Sequence, residues 1–405
     1  MEYYYGLPGF KTQIVERGIV LKILFASDMS FNYIKEIPDK ELVERLMSEA
    51  SNVFEKSDFS IVNLENVFGS NQIGNPIIKS GPNLISDDSY IEYINIIKPT
   101  VIGLANNHAG DFGDEALFHT VDMLEENGYK CIGAGRDIAE AYRPAIFEKD
   151  GVIVAVFAIC ENEFGIADDE SAGAAGYNLT MVTNAILSAK ENGFMPIIYF
   201  HGGNEHNPFP SPGKVELYRH FIDLGASAVI AMHTHCPQGY ELYKECPIVY
   251  SMGNFYFPSD QLAISKSWNY GYMTVLDISK LKISIEIMPY KFDFGYHSLL
   301  SGAEKNNFLK YIEYISRPIK QSKLLKEYFD SWCIISGLNN YVNHVTVSKE
   351  MLSDGAKALR HIKNIFSCEA HNELINNTIR IIFEGRYDNA KIHIDEIKRL
   401  QNMDF

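Results

Sequence analysis

Ala228-Val229-Ile230-Ala231-Met232-His233-Thr234-His235 decides the fold class, because an apolar run ends abruptly on a His-x-His pair. The run Ala228–Met232 reads as a buried strand. In extended backbone, residues i and i+2 face the same side, so His233 and His235 are expected to reach one centre. The same form recurs upstream. Met195–Phe200 runs into His201-Gly202-Gly203-Asn204-Glu205-His206, and Thr100–Leu104 runs into Ala105-Asn106-Asn107-His108-Ala109-Gly110-Asp111. Val20–Ala26 stops at Ser27-Asp28, Phe59–Leu64 stops at Glu65, and Ile248–Met252 stops at Gly253-Asn254.

Helical spacing separates these runs. Asp39–Phe54 follows a Pro38-Asp39 start and places Leu42, Val43, Leu46, Ala50 and Phe54 on one face. Ser86–Ile97 opens on Ser-Asp-Asp, an acidic helix start. Glu115–Asn127 stops at Gly128, and Val215–Leu224 is closed by Gly225. Val152–Ile159 is a further strand, and Tyr272–Ile278 with Lys282–Met288 reads as a hairpin. Strands alternating with helices predict an α/β architecture, and ligands in such folds gather beyond the carboxyl ends of strands. Asp28, Glu65, His108, His201, His233 and Asn254 all lie just past such an end.

The chain has 405 residues, 46% of them apolar, enough for one large domain or two. Its net charge of -16, with no basic block, argues against a nucleic-acid partner. Met1–Pro8 lacks the basic and apolar regions of a secretory signal, and the longest clean apolar run, Val152–Cys160, is too short for a membrane helix. Six cysteines without a Cys-x-x-Cys pair fit a reducing, cytoplasmic setting. Residues 296–405 carry 15 Lys+Arg against 13 Asp+Glu, whereas the rest carries 21 against 39. That shift, with helical spacing of Phe308, Tyr311, Ile312 and Ile315 and later of Leu359, Ile362, Ile365 and Phe366, sets a boundary near Phe294–Gly302. The expected division is residues 20–295 and a helical region, 296–405.

Asp28 and Glu65 offer carboxylate oxygens, and a carboxylate can bridge two divalent ions. The alternative for each is a turn or cap residue. An Asn107 amide oxygen can ligate a metal, with His108 turned to a bound oxyanion and Asp111 setting its tautomer. The paired glycines after His201 let backbone approach a ligand closely. Glu205 and Asn254 are candidates for substrate contact on the same face. Cys236, next to His235, could offer a thiolate among harder ligands. His119, His206, His220, His297, His344, His361, His371 and His393 read as surface or packing residues. Rival chemistries lack their parts: the chain has no Gly-x-Ser-x-Gly elbow, no Walker loop and no His-Glu-x-x-His helix.

Taken in order, these motifs resemble the CapA family of poly-γ-glutamate capsule biosynthesis proteins, which is similar to the calcineurin-like metallophosphatases. The residues that carry the resemblance are Ala26-Ser27-Asp28-Met29, Val62-Asn63-Leu64-Glu65, Leu104 to Gly113, Gly133-Ala134-Gly135, His201 to Glu205, His233-Thr234-His235 and Tyr250 to Phe255. They cover roughly residues 20–295. The resemblance implies an α/β/β/α sandwich of two mixed sheets, here with a mainly helical C-terminal extension. It also implies one or two divalent ions (Mn, Zn, Fe or Mg). By it, Asp28 and His235 would hold one ion, Asn107, His201 and His233 the second, and Glu65 would bridge where phosphatases use aspartate. His108 would give up a proton, oriented by Asp111. One departure stands out: phosphatases open with Asp-x-His, and here the third position is Ser30, so one first-site ligand is missing. The expected function is a metal-dependent hydrolase acting on a phosphoester or on a γ-glutamyl or cell-envelope polymer. The alternative is a non-catalytic assembly factor that keeps the fold. The oligomeric state is open.

Overall fold

Along Leu21–Met29, side-chain alternation sorts the first strand between two layers. Leu21, Ile23 and Phe25 join one buried cluster with Val154, Val156 and Tyr199. Leu24 and Ala26 join another with Val43, Met47 and Ile94 of two helices. A strand apolar on both faces belongs inside a layered α/β fold. The computed structural model describes residues 20–35, 39–69, 73–260, 265–345 and 355–405. Met1–Pro8 and Pro38, read above from sequence, lie outside the described residues.

The chain first lays down β1 (Leu21–Met29), β2 (Phe59–Leu64), β3 (Val101–Gly103) and β4 (Lys130–Ile132). It then builds a second sheet from β5 (Ala145–Lys149), β6 (Val152–Cys160), β7 (Met195–His201), β8 (Ala228–Met232), β9 (Tyr240–Tyr243) and β10 (Cys246–Val249). It returns to the first with β11 (Asn254–Tyr256), β12 (Tyr270–Ile278), β13 (Ile283–Asp293) and β14 (Tyr296–Leu299). The first sheet runs β14-β13-β12-β1-β2-β3-β4, with β11 parallel to the end of β1; the second runs β9-β10-β8-β7-β6-β5. Both are mixed: β1, β2, β3 and β4 are parallel, as are β6, β7, β8 and β10, while the flanking strands are antiparallel. The Tyr199 hydroxyl of β7 crosses between sheets to the Ala26 carbonyl at 2.6 Å.

Helices close both outer faces. Lys40–Glu55 covers the first sheet; the Asp39 side chain caps it by accepting from Leu42 N at 3.0 Å, and Val43, Leu46, Met47 and Ala50 are buried. Pro212–Leu224 covers the second sheet and ends at Gly225, φ 113°. The result is the expected α/β/β/α sandwich. Gly302–Ser316 opens the helical C-terminal region and buries Phe308, Tyr311, Ile312 and Ile315.

Three segments differ from expectation. Ser86–Ile97 is not one helix: Ile85–Ser86 is a short strand, Asp87 caps a tight turn over Asp88–Tyr90, and only Ile91–Ile97 is α-helical. Asp87 favours the turn because its carboxylate accepts locally, from Ser89 N. Ile248–Met252 is not one strand, since the chain leaves the second sheet at Val249 and enters the first at Asn254. Gly253, at φ 77°, makes this crossing, and a Cβ there would stand 2.7 Å from the Tyr270 carbonyl. In the helix Gly355–Ser367, Ile365 is buried but Phe366 is 58% exposed, because adjacent helical residues face different directions.

Candidate metal centre

The strand ends converge. Asp28 is the penultimate residue of β1, Glu65 follows β2, and His108 lies in the turn after β3. His201 ends β7, and His233 and His235 follow β8. In register, Asp28 sits beside Asn63 on one side and Asn254 on the other. Asp28, Glu65, Asn107, His108, His201, His233, His235 and Asn254 are all buried, whereas Glu205 is exposed.

Glu65 is shared by two sets of donors. Its carboxylate groups with His201 and His233 on one side, and with Asp28 and His235 on the other, each set lying within 4.8 Å. The Glu65 Oε1 atom is 3.4 Å from His201 Nε2, 3.8 Å from His235 Nε2 and 3.9 Å from His108 Nε2. His201 Nε2 is also 3.6 Å from Asp28 Oδ1. The His-x-His pair does not work as the extended strand it was expected to be. His233 and His235 have φ of 95° and 52°, and their rings point to different sets. Left-handed backbone at two non-glycine residues costs energy, and such strain collects at functional sites.

Surrounding groups hold the donors in place. Asn63 Nδ2 donates to Asp28 Oδ1 at 2.9 Å, and the His233 amide donates to Asp28 Oδ2 at 2.9 Å. Asn254 Oδ1 meets His235 Nδ1 at 2.8 Å, and its Nδ2 donates to the Trp268 carbonyl. Asn254, expected to touch substrate, thus has both ends of its amide engaged inside the protein and orients His235. Asn106 Nδ2 donates to the Leu64 carbonyl, and Asn106 Oδ1 accepts from the His108 amide. Cys236 is not among the donor sets; its thiol meets the Asn207 carbonyl, and burial pushes it up to about 12.

The atoms left without partners test whether these residues suit a cation. Both Glu65 oxygens, Asn107 Oδ1, His201 Nε2 and His233 Nδ1 are buried and make no hydrogen bond. Buried polar atoms are normally paired, and these five lack that compensation; the Glu65, His201 and His233 atoms belong to one donor set. Burial drives the Glu65 carboxyl well above its usual range, and the Asp28 charge adds to this against the pull of His235. Burial, then His201 and His235, pushes His233 well below the usual histidine range. Burial also lowers His201, whereas Glu65, Glu205 and Asp28 raise His235 against its burial. Crowded carboxylates beside buried imidazoles are a donor set that a divalent cation relieves. Imidazole nitrogens and carboxylate oxygens suit Zn, Fe or Mn.

His108 stands at the rim of this cluster. Its Nδ1 is 2.6 Å from Asp111 Oδ2 and 3.1 Å from Lys79 Nζ. Lys79 is itself buried in an ion pair with Asp111, whose other contact is the Leu84 amide at 2.6 Å. Burial, with Lys79 beside it, lowers His108 to about 4 against the opposing pull of Asp111. Lys79 was missed, since nothing in Ile77-Ile78-Lys79-Ser80-Gly81 marks a motif. Glu163 was also missed, although it lies just past β6 where the strand-end rule pointed. It accepts from Asn107 Nδ2 at 2.6 Å, which turns Asn107 Oδ1 the other way. Asn364, from the C-terminal region, donates to Glu163 Oε1 at 3.0 Å. Ser30 is buried, and its hydroxyl has no partner.

Residues 23–259 match the family model described as bacterial capsule synthesis protein PGA_cap. The capsule biosynthesis protein CapA of Bacillus anthracis is 25% identical over 236 residues, covering 56% of this chain and 57% of that protein. The PGA biosynthesis protein CapA of Bacillus subtilis (strain 168) is 25% identical over 247 residues, covering 59% and 63%. A probable polyglutamine synthesis accessory protein of Mycobacterium tuberculosis is 26% identical over 218 residues, covering 49% and 57%. The chain spans about three-fifths of the length of these relatives. Among solved structures, a 5'-nucleotidase precursor from Thermus thermophilus has 12% identity over 67% of this chain and 54% of that one, with TM-score 0.38. That likeness is too low to bear on the site.

Proposed function

The chain belongs to the bacterial capsule synthesis family PGA_cap, and from that premise we propose that it is a divalent-metal-dependent hydrolase acting on a phosphoester or on a γ-glutamyl or cell-envelope polymer. The observation that carries this reading is the shared carboxylate: Glu65, with two orphaned oxygens, belongs to both donor sets. Asp28 and His235 would hold one ion, His201, His233 and Asn107 the other, with Glu65 between them. Such ions, when bound, make water more acidic and steady negative charge on the reacting oxygen.

The rest of the work falls to the protein. Asn63 and the His233 amide fix the Asp28 carboxylate, and Asn254 fixes the His235 ring. Asp111 and Lys79 both face His108 Nδ1, so Nε2 is the nitrogen turned to the centre. With the ring held neutral, Nε2 would take the proton released by the attacking water and pass it to the departing oxygen or nitrogen of the cleaved bond.

A second reading, a non-catalytic assembly factor, is favoured by one observation: Ser30 stands where the phosphatase pattern has histidine. Metal analysis and turnover separate the two. Purified protein is expected to carry divalent metal and, with added Mn²⁺, to hydrolyse a generic phosphodiester or a γ-glutamyl amide. His108→Ala is expected to slow turnover by roughly 10²–10³-fold while keeping metal. His201→Ala and His233→Ala are expected to lose metal, and His220→Ala, on the exposed side of an outer helix, to retain it. Wild-type turnover no higher than that of His108→Ala on both substrates would rule out the hydrolase. Equal metal content in His201→Ala, His233→Ala and His220→Ala would rule out the ligand assignment.

A further inference from the structure

Glu161 is the first residue past β6, and it meets the backbone that follows β7 at two points. Its amide donates to the His201 carbonyl at 3.0 Å, and its Oε2 accepts from the Gly203 amide at 2.8 Å. One glutamate thus bridges the chain on both sides of Gly202. Glycine suits both positions of the pair. A Cβ at Gly202 would stand 2.6 Å from Glu161 Cγ, and Gly203 has φ 131°.

Glu161 is itself fixed. Its Oε1 pairs with Lys214 Nζ of the helix Pro212–Leu224, and both side chains are buried. Burial opposes the Lys214 charge, but Glu161 more than offsets it and holds the ammonium above the usual lysine range. That ammonium also lies 5.0 Å from the centre of the Phe200 ring, one residue before His201. From the C-terminal region, Cys368 Sγ meets Glu161 Oε2 at 3.8 Å. Two residues on, Glu163 accepts from the Asn107 amide. The short segment after β6 therefore contacts two members of the proposed second-ion set, whereas Asp28 and His235 are held by Asn63 and Asn254.

We propose that Glu161 is a positioning residue for His201: it sets the backbone at the end of β7 so that His201 Nε2 stays beside Glu65, and Lys214 keeps Glu161 in place. The inference rests on the reading of His201 as a metal ligand. It adds that metal affinity depends on the hydrogen bond to Gly203 and not on the ion pair as such.

Chelator competition for Mn²⁺ on the full chain tests this with two double variants. Glu161→Gln with Lys214→Met removes both charges but keeps an oxygen that accepts from the Gly203 amide. Glu161→Leu with Lys214→Met removes the charges and the acceptor together. The first is expected to bind Mn²⁺ within about threefold of wild type and the second about tenfold more weakly, as for groups that orient a ligand. Near-ultraviolet circular dichroism reports whether each is folded. Glu161→Asp keeps the charge but draws the carboxylate back from Gly203, and it decides the matter where the leucine variant does not fold. It is expected to bind about fivefold more weakly than wild type. The proposal is overturned if the two double variants bind Mn²⁺ equally, or if Glu161→Asp binds it as tightly as wild type. His201→Ala, read beside them, reports on the ligand itself. Metal lost in His201→Ala but kept in the folded leucine variant overturns the positioning role and leaves the ligand assignment standing. Wild-type affinity in His201→Ala overturns the ligand assignment and the proposal with it.

Discussion

At the scale of single residues, burial decides what each charge can do. Lys79 and Asp111 form an ion pair that is shielded from water, and His108 leans on both. Removing one member of such a pair leaves the other uncompensated, which costs about 3–5 kcal/mol. Lys79→Met should therefore destabilise the protein by that amount in urea unfolding, and adding Asp111→Asn should recover part of the loss. A Lys79→Met variant within 1 kcal/mol of wild type (roughly the worth of a surface pair) would refute the idea. His297 gives a pH prediction away from the centre. It is buried on β14 between the rings of Phe255 and Tyr290, and burial lowers it to about 3. Unfolded, it takes up a proton near pH 6.5; folded, it does so only near pH 3. The unfolded state thus binds more protons between those values. The stabilisation is complete above the unfolded pKa and is lost as pH falls, by about 2 kcal/mol from pH 7 to pH 5. His297→Phe should flatten that part of the stability profile. Parallel urea titrations at the two pH values, showing an unchanged slope, would count against it.

At the scale of elements, what the sequence made legible was local. Apolar runs that end on Asp28, Glu65, His201 and His233 mark strand ends, because period and polarity change within a few residues. The missed partners come from far along the chain. Lys79 reaches Asp111 from a loop without a motif, and Asn364 reaches Glu163 from 201 positions away. The bend at His233 and His235 was equally hidden, since left-handed backbone at non-glycine residues goes against local preference. The helix Gly355–Ser367 thereby supports a proposed ligand: Asn364 donates to Glu163, and Glu163 accepts from the Asn107 amide. Groups that orient a ligand typically carry 10–100-fold in metal affinity. Asn364→Leu is expected to weaken metal retention about tenfold in a chelator competition while its circular dichroism spectrum stays that of wild type. Unchanged affinity would place the helix outside the centre's support.

At the scale of the whole molecule, the family match ends at residue 259, but the packing does not end there. Strands β12, β13 and β14 complete the first sheet beyond it, and the C-terminal helices share one buried cluster with the second sheet. Phe308 lies 6.3 Å from Tyr272 of β12, and the Phe405 ring lies 5.0 Å from Tyr270 and 5.1 Å from Phe308. Glu373 ties the last long helices to Ser211 and Gly213 at the start of Pro212–Leu224, and Gln401 ties them to the His206 carbonyl. Each large apolar side chain in that contact contributes about 1.5–3 kcal/mol relative to exposure. Phe308, Tyr311, Ile312, Phe329 and Trp332 together therefore place roughly 7–15 kcal/mol in the contact, comparable to the whole net stability of a typical domain, about 5–15 kcal/mol. Separating the two parts without unfolding either would forfeit that sum. The chain is thus expected to unfold in one cooperative step, with near-ultraviolet and far-ultraviolet circular dichroism coinciding. A chain cut after Ser301 is expected to bind a hydrophobic dye and lose its tertiary signal. Two resolved transitions, or a cut chain that keeps its near-ultraviolet spectrum, would show instead that the helical region is an independent unit laid over a self-sufficient sandwich.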